Sequence, residues 1–277
     1  MTRISELQSK RNADSREAWD DFAAHRSRVT ALLQGSATSA SDSLCVLGAG
    51  NCNDLDLKAL LASYASVQLL DIDGAALTAG MHRQSIFLDR LRAVGDFDVT
   101  GVSQLLSECS PTTPTSSADV DRCLNQLKQI PEIPGGPFSV VASVCLLSQL
   151  IEGVVLTLGE PHSRFLDVLT AIRRQHLKLL VELASPGGVV VLVTDIVSSA
   201  TCPQLVQSIE ADLPRIVSGA INARNFFTGV NPVVLRSLFS REPSLSSRIQ
   251  SIEVTNPWLW NLGPRHYAVC AIVARLK

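Results

Sequence analysis

Two apolar runs in the first third of the chain stop on residues suited to holding a ligand. Residues 44 to 50 are LCVLGAG and residues 69 to 74 are LLDIDG, so one run ends on Gly48 and Gly50 and the other on Asp71, 21 residues after Gly50. Glycines let a backbone turn tightly and come close to a bound group. A carboxylate at a strand end accepts both hydrogen bonds of a ribose diol. Asn53, Asp54 and Asp56 suit a helix start, with Asn53 as N-cap and Asp56 as the third helical residue. Asp73 is expected to cap the helix that follows Asp71. Glycine turn plus acid is a nucleoside-binding arrangement when both lie at the carboxyl ends of adjacent parallel strands.

Such strands are legible in the rest of the chain. From Leu44 onward, short runs of Val, Ile and Leu alternate with helical stretches, the pattern of strands covered on both faces by crossover helices. Strands are predicted near 44 to 48, 67 to 71, 97 to 101, 138 to 143 and 188 to 194. The clearest helix is SRFLDVLTAIRRQHLKLLVELA, where Phe165, Val168, Leu169, Ile172, Leu179, Leu180 and Leu183 form one apolar stripe and the following SPGG is a stop. His176 falls on that stripe and is expected to be a packed structural histidine, whereas Arg173 and Arg174 are expected on a solvated face. Two further strands, near 249 to 254 and 266 to 275, have no helix between them and must pair antiparallel. The expected fold is α/β: a doubly wound, mostly parallel seven-stranded sheet with a C-terminal antiparallel hairpin, helices on both faces and an extra N-terminal helix over 4 to 34. Residues 1–40 form that helical extension and its linker; 41–277 form the main domain. The Ser/Thr/Pro-rich stretch 107 to 119 is expected to be a surface loop before a short helix at 119 to 129.

Composition narrows the function classes. With 277 residues, 46% hydrophobic and 18% charged, the chain is long enough for one large domain with appendages. A formal net charge of -2 gives no global attraction to nucleic acid or anionic lipid. The seven cysteines are scattered without a CxxC pair, which implies reduced thiols and no structural zinc. No signal-peptide core and no run long enough for a membrane span are present, so a soluble, cytoplasmic protein is expected.

The motifs resemble those of the class I S-adenosylmethionine-dependent methyltransferases. VLGAGNC resembles their first motif through Gly48 and Gly50, and LLDIDGAAL resembles their ribose-binding segment through Asp71; the similarity extends over residues 40 to 277, including FSVVASVCLLSQLIEGV as a fourth-strand segment and the closing hairpin. The resemblance implies S-adenosylmethionine as cofactor, S-adenosylhomocysteine as product and no metal. It implies cofactor contacts from Gly48, Ala49, Gly50, Asn51, Asp54, Asp71, Ile72, Val102, Ser103 and Ser143. Two positions depart from the pattern: Val46 replaces the usual acid of the first motif and Cys52 its third glycine. Contact to the methionine part then falls to Asp54 or Asn51, and contact to the adenine to Val102 and Ser103. A nicotinamide-linked oxidoreductase is disfavoured by Asn53 in place of the third glycine of G-x-G-x-x-G and by the hairpin end.

Methyl transfer mainly needs alignment and removal of a proton from the acceptor. Candidates on the acceptor side are Ser148 and Gln149 after the fourth strand, Asn256, Trp258 and Trp260 in the loop of the hairpin, and, as weak catalytic candidates, His162, His266 and Tyr267. Each has a plainer role: His162 caps or solvates a loop, and the two tryptophans, alternating along an extended segment, are expected on opposite faces with one covering the core. A small-molecule acceptor is expected. The alternative is a non-catalytic nucleoside-binding or scaffold protein, to which the missing acid at Val46 lends weight.

Overall fold

A computed structural model of the chain describes residues 2–110 and 115–277. Its strands are β1 (Ser43–Leu47), β2 (Ser66–Leu70), β3 (Leu91–Val94), β4 (Phe138–Val144), β5 (Ala184–Ser198), β6 (Ile249–Val254), β7 (Trp258–Leu262) and β8 (Arg265–Leu276). They form one sheet in the order β3-β2-β1-β4-β5-β8-β6, with β7 also on β8. The first five strands run parallel, and β8 runs antiparallel to β5. Successive side chains of a strand point to opposite faces, and here both faces are apolar. Leu44 and Val46 of β1 enter one core layer, and Cys45 and Leu47 enter the other. All four are fully buried, so this central strand contributes roughly 1.5–3 kcal/mol for each large aliphatic side chain.

The helices are α1 (Arg3–Ser15), α2 (Ala23–Gln34), α3 (Leu57–Ser63), α4 (Gly74–Arg83), α5 (Ser103–Ser107), α6 (Ser117–Gln126), α7 (Leu146–Thr157), α8 (Phe165–Leu183), α9 (Leu213–Asn222), α10 (Pro232–Arg241) and α11 (Pro243–Ser246). None of the described helices is long and apolar enough to cross a membrane.

Several expectations are corrected. The predicted helix over 4 to 34 is two helices, and Trp19 lies in the connection while Phe22 is the N-cap residue of α2. The third strand is not at 97 to 101 but at Leu91–Val94. As an edge strand, β3 keeps Arg92 and Ala93 exposed and lacks the continuous apolar run of a central strand. The apolar residues Val99 and Val102 anchor the loop that follows it. The described residues form eight strands because half of the predicted hairpin loop forms β7, which lies along the same edge of β8 as β6. At the break between β6 and β7, Thr255 donates its N–H to the Ala271 carbonyl at 2.9 Å and its hydroxyl accepts the Ala271 N–H at 2.9 Å. Arg173 is half-buried and donates to the Gly229 carbonyl at 3.3 Å, so it does not share the solvated face of Arg174. The predicted loop at 107 to 119 falls partly outside the described residues, and the helix after it begins at Ser117.

His176 is fully buried on α8, with Nε2 2.9 Å from Ser143 Oγ. Burial pushes its imidazole down from 6.5 to about 4. As pH falls, the unfolded chain takes up this proton before the native state does. Stability present above pH 6.5 is therefore lost between about 6.5 and 4, by about 3 kcal/mol at ~1.4 kcal/mol per unit. Urea unfolding of the parent chain should show this loss and His176→Gln a shallower one; identical pH slopes would refute the assignment.

Candidate functional site

The carboxyl ends of β1, β2, β4 and β5, with the segment after β3, open into one cavity of about 830 Å³. The cavity lies where the winding of the sheet reverses, between β1 and β4, the place where open α/β sheets bind ligands. Its size is within the range of small-molecule sites, roughly 300–1,000 Å³.

The turn after β1 is built on positive φ, +73° at Gly48 and +49° at Gly50. A Cβ at Gly48 would lie 2.9 Å from Leu146, so the residue type is fixed by the close approach of α7 as well as by φ. Asp71, at the end of β2, is buried and tied to this turn: Oδ2 accepts the Gly50 N–H at 2.8 Å and Oδ1 accepts the Asp73 N–H at 2.9 Å. Burial raises its carboxyl above the usual range, opposed by those backbone hydrogen bonds. A carboxylate has about four acceptor positions, so about two stay free toward the cavity. Asp73 caps α4 through the Ala76 N–H at 3.1 Å. Asn53 does not cap the next helix. Asp56 does, accepting the Ala59 N–H, while Asn53 donates to the Ser15 carbonyl at 2.8 Å and accepts from Arg83. The loop is one turn longer than the sequence pattern indicates because Asn53 is engaged by α1.

That helix lines the cavity through Gln8, Arg11, Asn12 and Ser15. Asn51 donates to the Asn12 carbonyl at 2.6 Å, Asn12 donates to Asp73 Oδ2 at 3.1 Å, and Arg11 pairs with Glu152 of α7. On the β3 side, Phe97, Asp98, Thr100 and Ser103 line the wall. Asp98 accepts the N–H groups of Thr100 at 2.9 Å and Ser103 at 2.8 Å, fixing the start of α5.

The far side carries a second set of groups. Asp195 of β5 is buried, and its Oδ1 accepts the Ser148 hydroxyl at 2.6 Å. Burial raises its carboxyl, partly offset by the Ser148 hydrogen bond. Asp54 Oδ1 lies 3.2 Å from Nε2 of the fully buried His25. His25 Nδ1 accepts the Trp258 indole N–H at 3.1 Å. An indole nitrogen only donates, so His25 Nδ1 is the acceptor of this pair and any ring proton sits on Nε2, which with Asp54 Oδ1 has no hydrogen-bond partner among the described residues. His25 stacks on Trp260 with centroids 4.5 Å apart, and Trp260 in turn lies 5.0 Å from Tyr267.

Of the residues expected at the cofactor, Gly48, Ala49, Gly50, Asn51, Asp54 and Asp71 line the cavity, as do Ile72 and Ser103. Val102 does not: it is fully buried behind the loop. Ser143 faces His176 in the core. Of the acceptor candidates, Ser148, Gln149, Trp260 and Tyr267 line the cavity. Asn256 is exposed at the β6–β7 break, and Trp258 lies behind Trp260 against His25. The two tryptophans share one face, since residues two apart on a strand point the same way. His162 accepts the Arg164 N–H at 3.1 Å, and His266 sits near the Leu205 carbonyl; neither lines the cavity. Sequence reasoning missed Asn12, His25, Asp98 and Asp195. Asp195 interrupts an apolar run that resumes at Ile196 and Val197, a weaker signal than that of Asp71; His25 carries no local signal.

No protein-family model matches the chain, and no curated protein matches it. Among solved structures, the N-methyltransferase NodS from Bradyrhizobium japonicum WM9, in complex with S-adenosylhomocysteine, aligns with a TM-score of 0.52 at 13% identity over 99% of this chain and 98% of that one. A SAM-dependent methyltransferase from Methanosarcina mazei aligns at 0.45, with 11% identity over 87% and 96% of the two chains. The pyocyanin biosynthetic protein PhzM aligns at 0.42, with 14% identity over 86% and 51%. The chain has the Rossmann-like fold of the class I S-adenosylmethionine-dependent methyltransferases, with their mostly parallel sheet and antiparallel C-terminal strands.

Proposed function

We propose that the protein transfers a methyl group from S-adenosylmethionine to a small molecule. The observation that carries this reading is Asp71, buried at the end of β2 and bound to the Gly50 N–H, with acceptor capacity left for a ribose diol beside a glycine turn that a side chain would fill. Ile72 and Phe97 offer apolar contact for a base, and Thr100 and Ser103 offer polar groups. The residues present fit an adenosyl group. The cofactor supplies an electrophilic methyl on a sulfonium; the chain supplies binding, orientation and a proton acceptor. The acceptor enters from the side of Ser148, Gln149, Trp260 and Tyr267. The net charge of -2 favours a small molecule over nucleic acid, and seven free, buried cysteines suit a reducing, cytoplasmic setting. Calorimetry should give saturable binding of S-adenosylhomocysteine and none of NAD, and labelled S-adenosylmethionine should transfer methyl to a component of a metabolite extract.

A second reading, nucleoside binding without transfer, rests on Val46, fully buried where the family has an acid. Cofactor binding with no labelled product from any extract supports it over the first.

In this reading α1, which lines the cavity and is bonded to Asn51 and Asp73, is a lid over it. Deleting residues 1–16 should reduce acceptor turnover at least tenfold while S-adenosylhomocysteine affinity falls by less. Equal loss of both, with a collapse in melting temperature, assigns α1 to packing alone.

A further inference from the structure

The cavity carries acidic groups that the ribose of the cofactor does not use. Asp71 and Asp195 stand on β2 and β5, with β1 and β4 between them. Three strand spacings of about 4.8 Å put these carboxylates roughly 14 Å apart along the sheet edge, so one adenosine ribose cannot engage both. Resting on the methyltransferase reading, we infer that the acceptor is an amine, bound as its ammonium between Asp195 and Asp54 and against Tyr267.

Four observations support this. The charge lining the cavity is one-sided: eight carboxylate side chains face it against two guanidiniums, Arg11 and Arg265, in a chain whose overall charge is only -2. Arg11 is already paired with Glu152. Such a wall repels phosphates and carboxylates and concentrates cations. Second, Asp195 is nine-tenths buried and among the described residues takes one side-chain partner, the Ser148 hydroxyl, while Asp54 Oδ1 is buried without a hydrogen-bond partner, 3.2 Å from His25 Nε2. Neither carboxylate is paired with a Lys or Arg of the described residues. Third, Tyr267 lines the same region, backed by Trp260, and an aromatic face attracts an ammonium. Fourth, the Trp260 indole nitrogen is buried without a partner among the described residues, a donor that an oxygen of the acceptor would satisfy.

The chemistry balances on these groups. The bound ammonium gives one proton to the Asp195 carboxylate, whose affinity for a proton is raised by burial. The freed nitrogen lone pair forms the N–C bond as the C–S bond breaks, and the departing electron pair stays on sulfur as the neutral thioether. The methylated nitrogen keeps the positive charge, and Asp195 releases its proton to water. A carboxylate is too weak a base to serve an aliphatic alcohol in the same way, which is why the site selects nitrogen over oxygen.

Benzylamine and benzyl alcohol form a matched pair of probes, each with a flat ring for the aromatic wall and one differing group. Titrated into the full chain saturated with S-adenosylhomocysteine, benzylamine should bind at least tenfold more tightly than benzyl alcohol. In Asp195→Asn the preference should fall below threefold, with S-adenosylhomocysteine affinity unchanged within twofold; Asp54→Asn should reduce it as well. Labelled methyl should pass to amines and not to the matching alcohols. Equal binding of the two probes, or a preference that survives in Asp195→Asn, overturns the inference while leaving the cofactor reading intact. Failure of S-adenosylhomocysteine to bind overturns both. If Asp195→Asn does not fold, the comparison of the two probes on the parent chain still decides.

Discussion

Asp71→Ala should bind S-adenosylhomocysteine roughly tenfold to more than a hundredfold more weakly than the parent and should also melt earlier. The affinity loss follows from charge-assisted hydrogen bonds to a ribose diol, each worth about 1.5–3 kcal/mol, so that losing one gives about tenfold at the low end and losing both more than about a hundredfold. The stability loss has a separate origin. Asp71 accepts the N–H groups of Gly50 and Asp73, and alanine would leave both without their acceptor in a buried turn, at about 1–3 kcal/mol each. Asp73→Ala makes a different forecast two residues away. It removes the cap of α4, at about 1 kcal/mol, and the hydrogen bond from Asn12, so it should melt earlier and loosen α1 while binding S-adenosylhomocysteine within a few-fold of the parent. Titration calorimetry on both variants, with melting temperatures measured without ligand, separates the two roles. Parent-like affinity in Asp71→Ala would remove the residue on which the nucleoside reading stands.

Gly80→Ala is expected to be strongly destabilising. Helix propensity alone favours alanine here by about 1 kcal/mol, because Gly80 lies inside α4. Tertiary packing reverses the sign. An added Cβ would lie 2.3 Å from the Asn51 carbonyl oxygen and 2.6 Å from its carbonyl carbon, both backbone atoms that cannot swing aside. Overpacking of this kind costs about 1–3 kcal/mol or more, and relief here requires α4 to move away from the loop that follows Gly50. Urea unfolding should therefore place Gly80→Ala at least 2 kcal/mol below the parent, roughly the midpoint of that cost, and S-adenosylhomocysteine should bind more weakly because the displaced loop lines the cavity. A variant as stable as the parent, as propensity would have it, contradicts the close approach.

The contrast between these two positions marks the limit of what was legible. Asp71 announces itself: an acid that abruptly ends an apolar run, at the right distance from a glycine turn. Gly80 sits in AALTAGMHR as an unremarked small residue, and its importance comes from a backbone carbonyl 29 residues earlier in the chain. The third strand shows the same limit. Apolar content finds strands that are covered on both faces, and it passed over β3 because an edge strand is free to carry Arg92 and exposed Ala93. The misplaced strand then hid Asp98, which follows the true strand end and shapes the wall beside Ser103.

The sequence by itself determined the alternation of strands and crossover helices, the antiparallel end of the sheet and the glycine–acid pair, because each is set by short-range periodicity, by residue conformational limits or by the rule that strands with no helix between them pair antiparallel. Only the tertiary structure decided that Trp258 donates to His25 and that the same ring lies 3.2 Å from Asp54, since their order in space depends on α2 packing beside β7, more than 200 residues away in the chain. It also decided that α1 reaches over the loop after β1, and that Ser143 and Val102 turn into the core while Trp260 and Tyr267 turn to the cavity. The physical reason is the same in each case. A side chain's type is local, but the partner that gives it a role is supplied by whichever element the packing of the sheet brings against it.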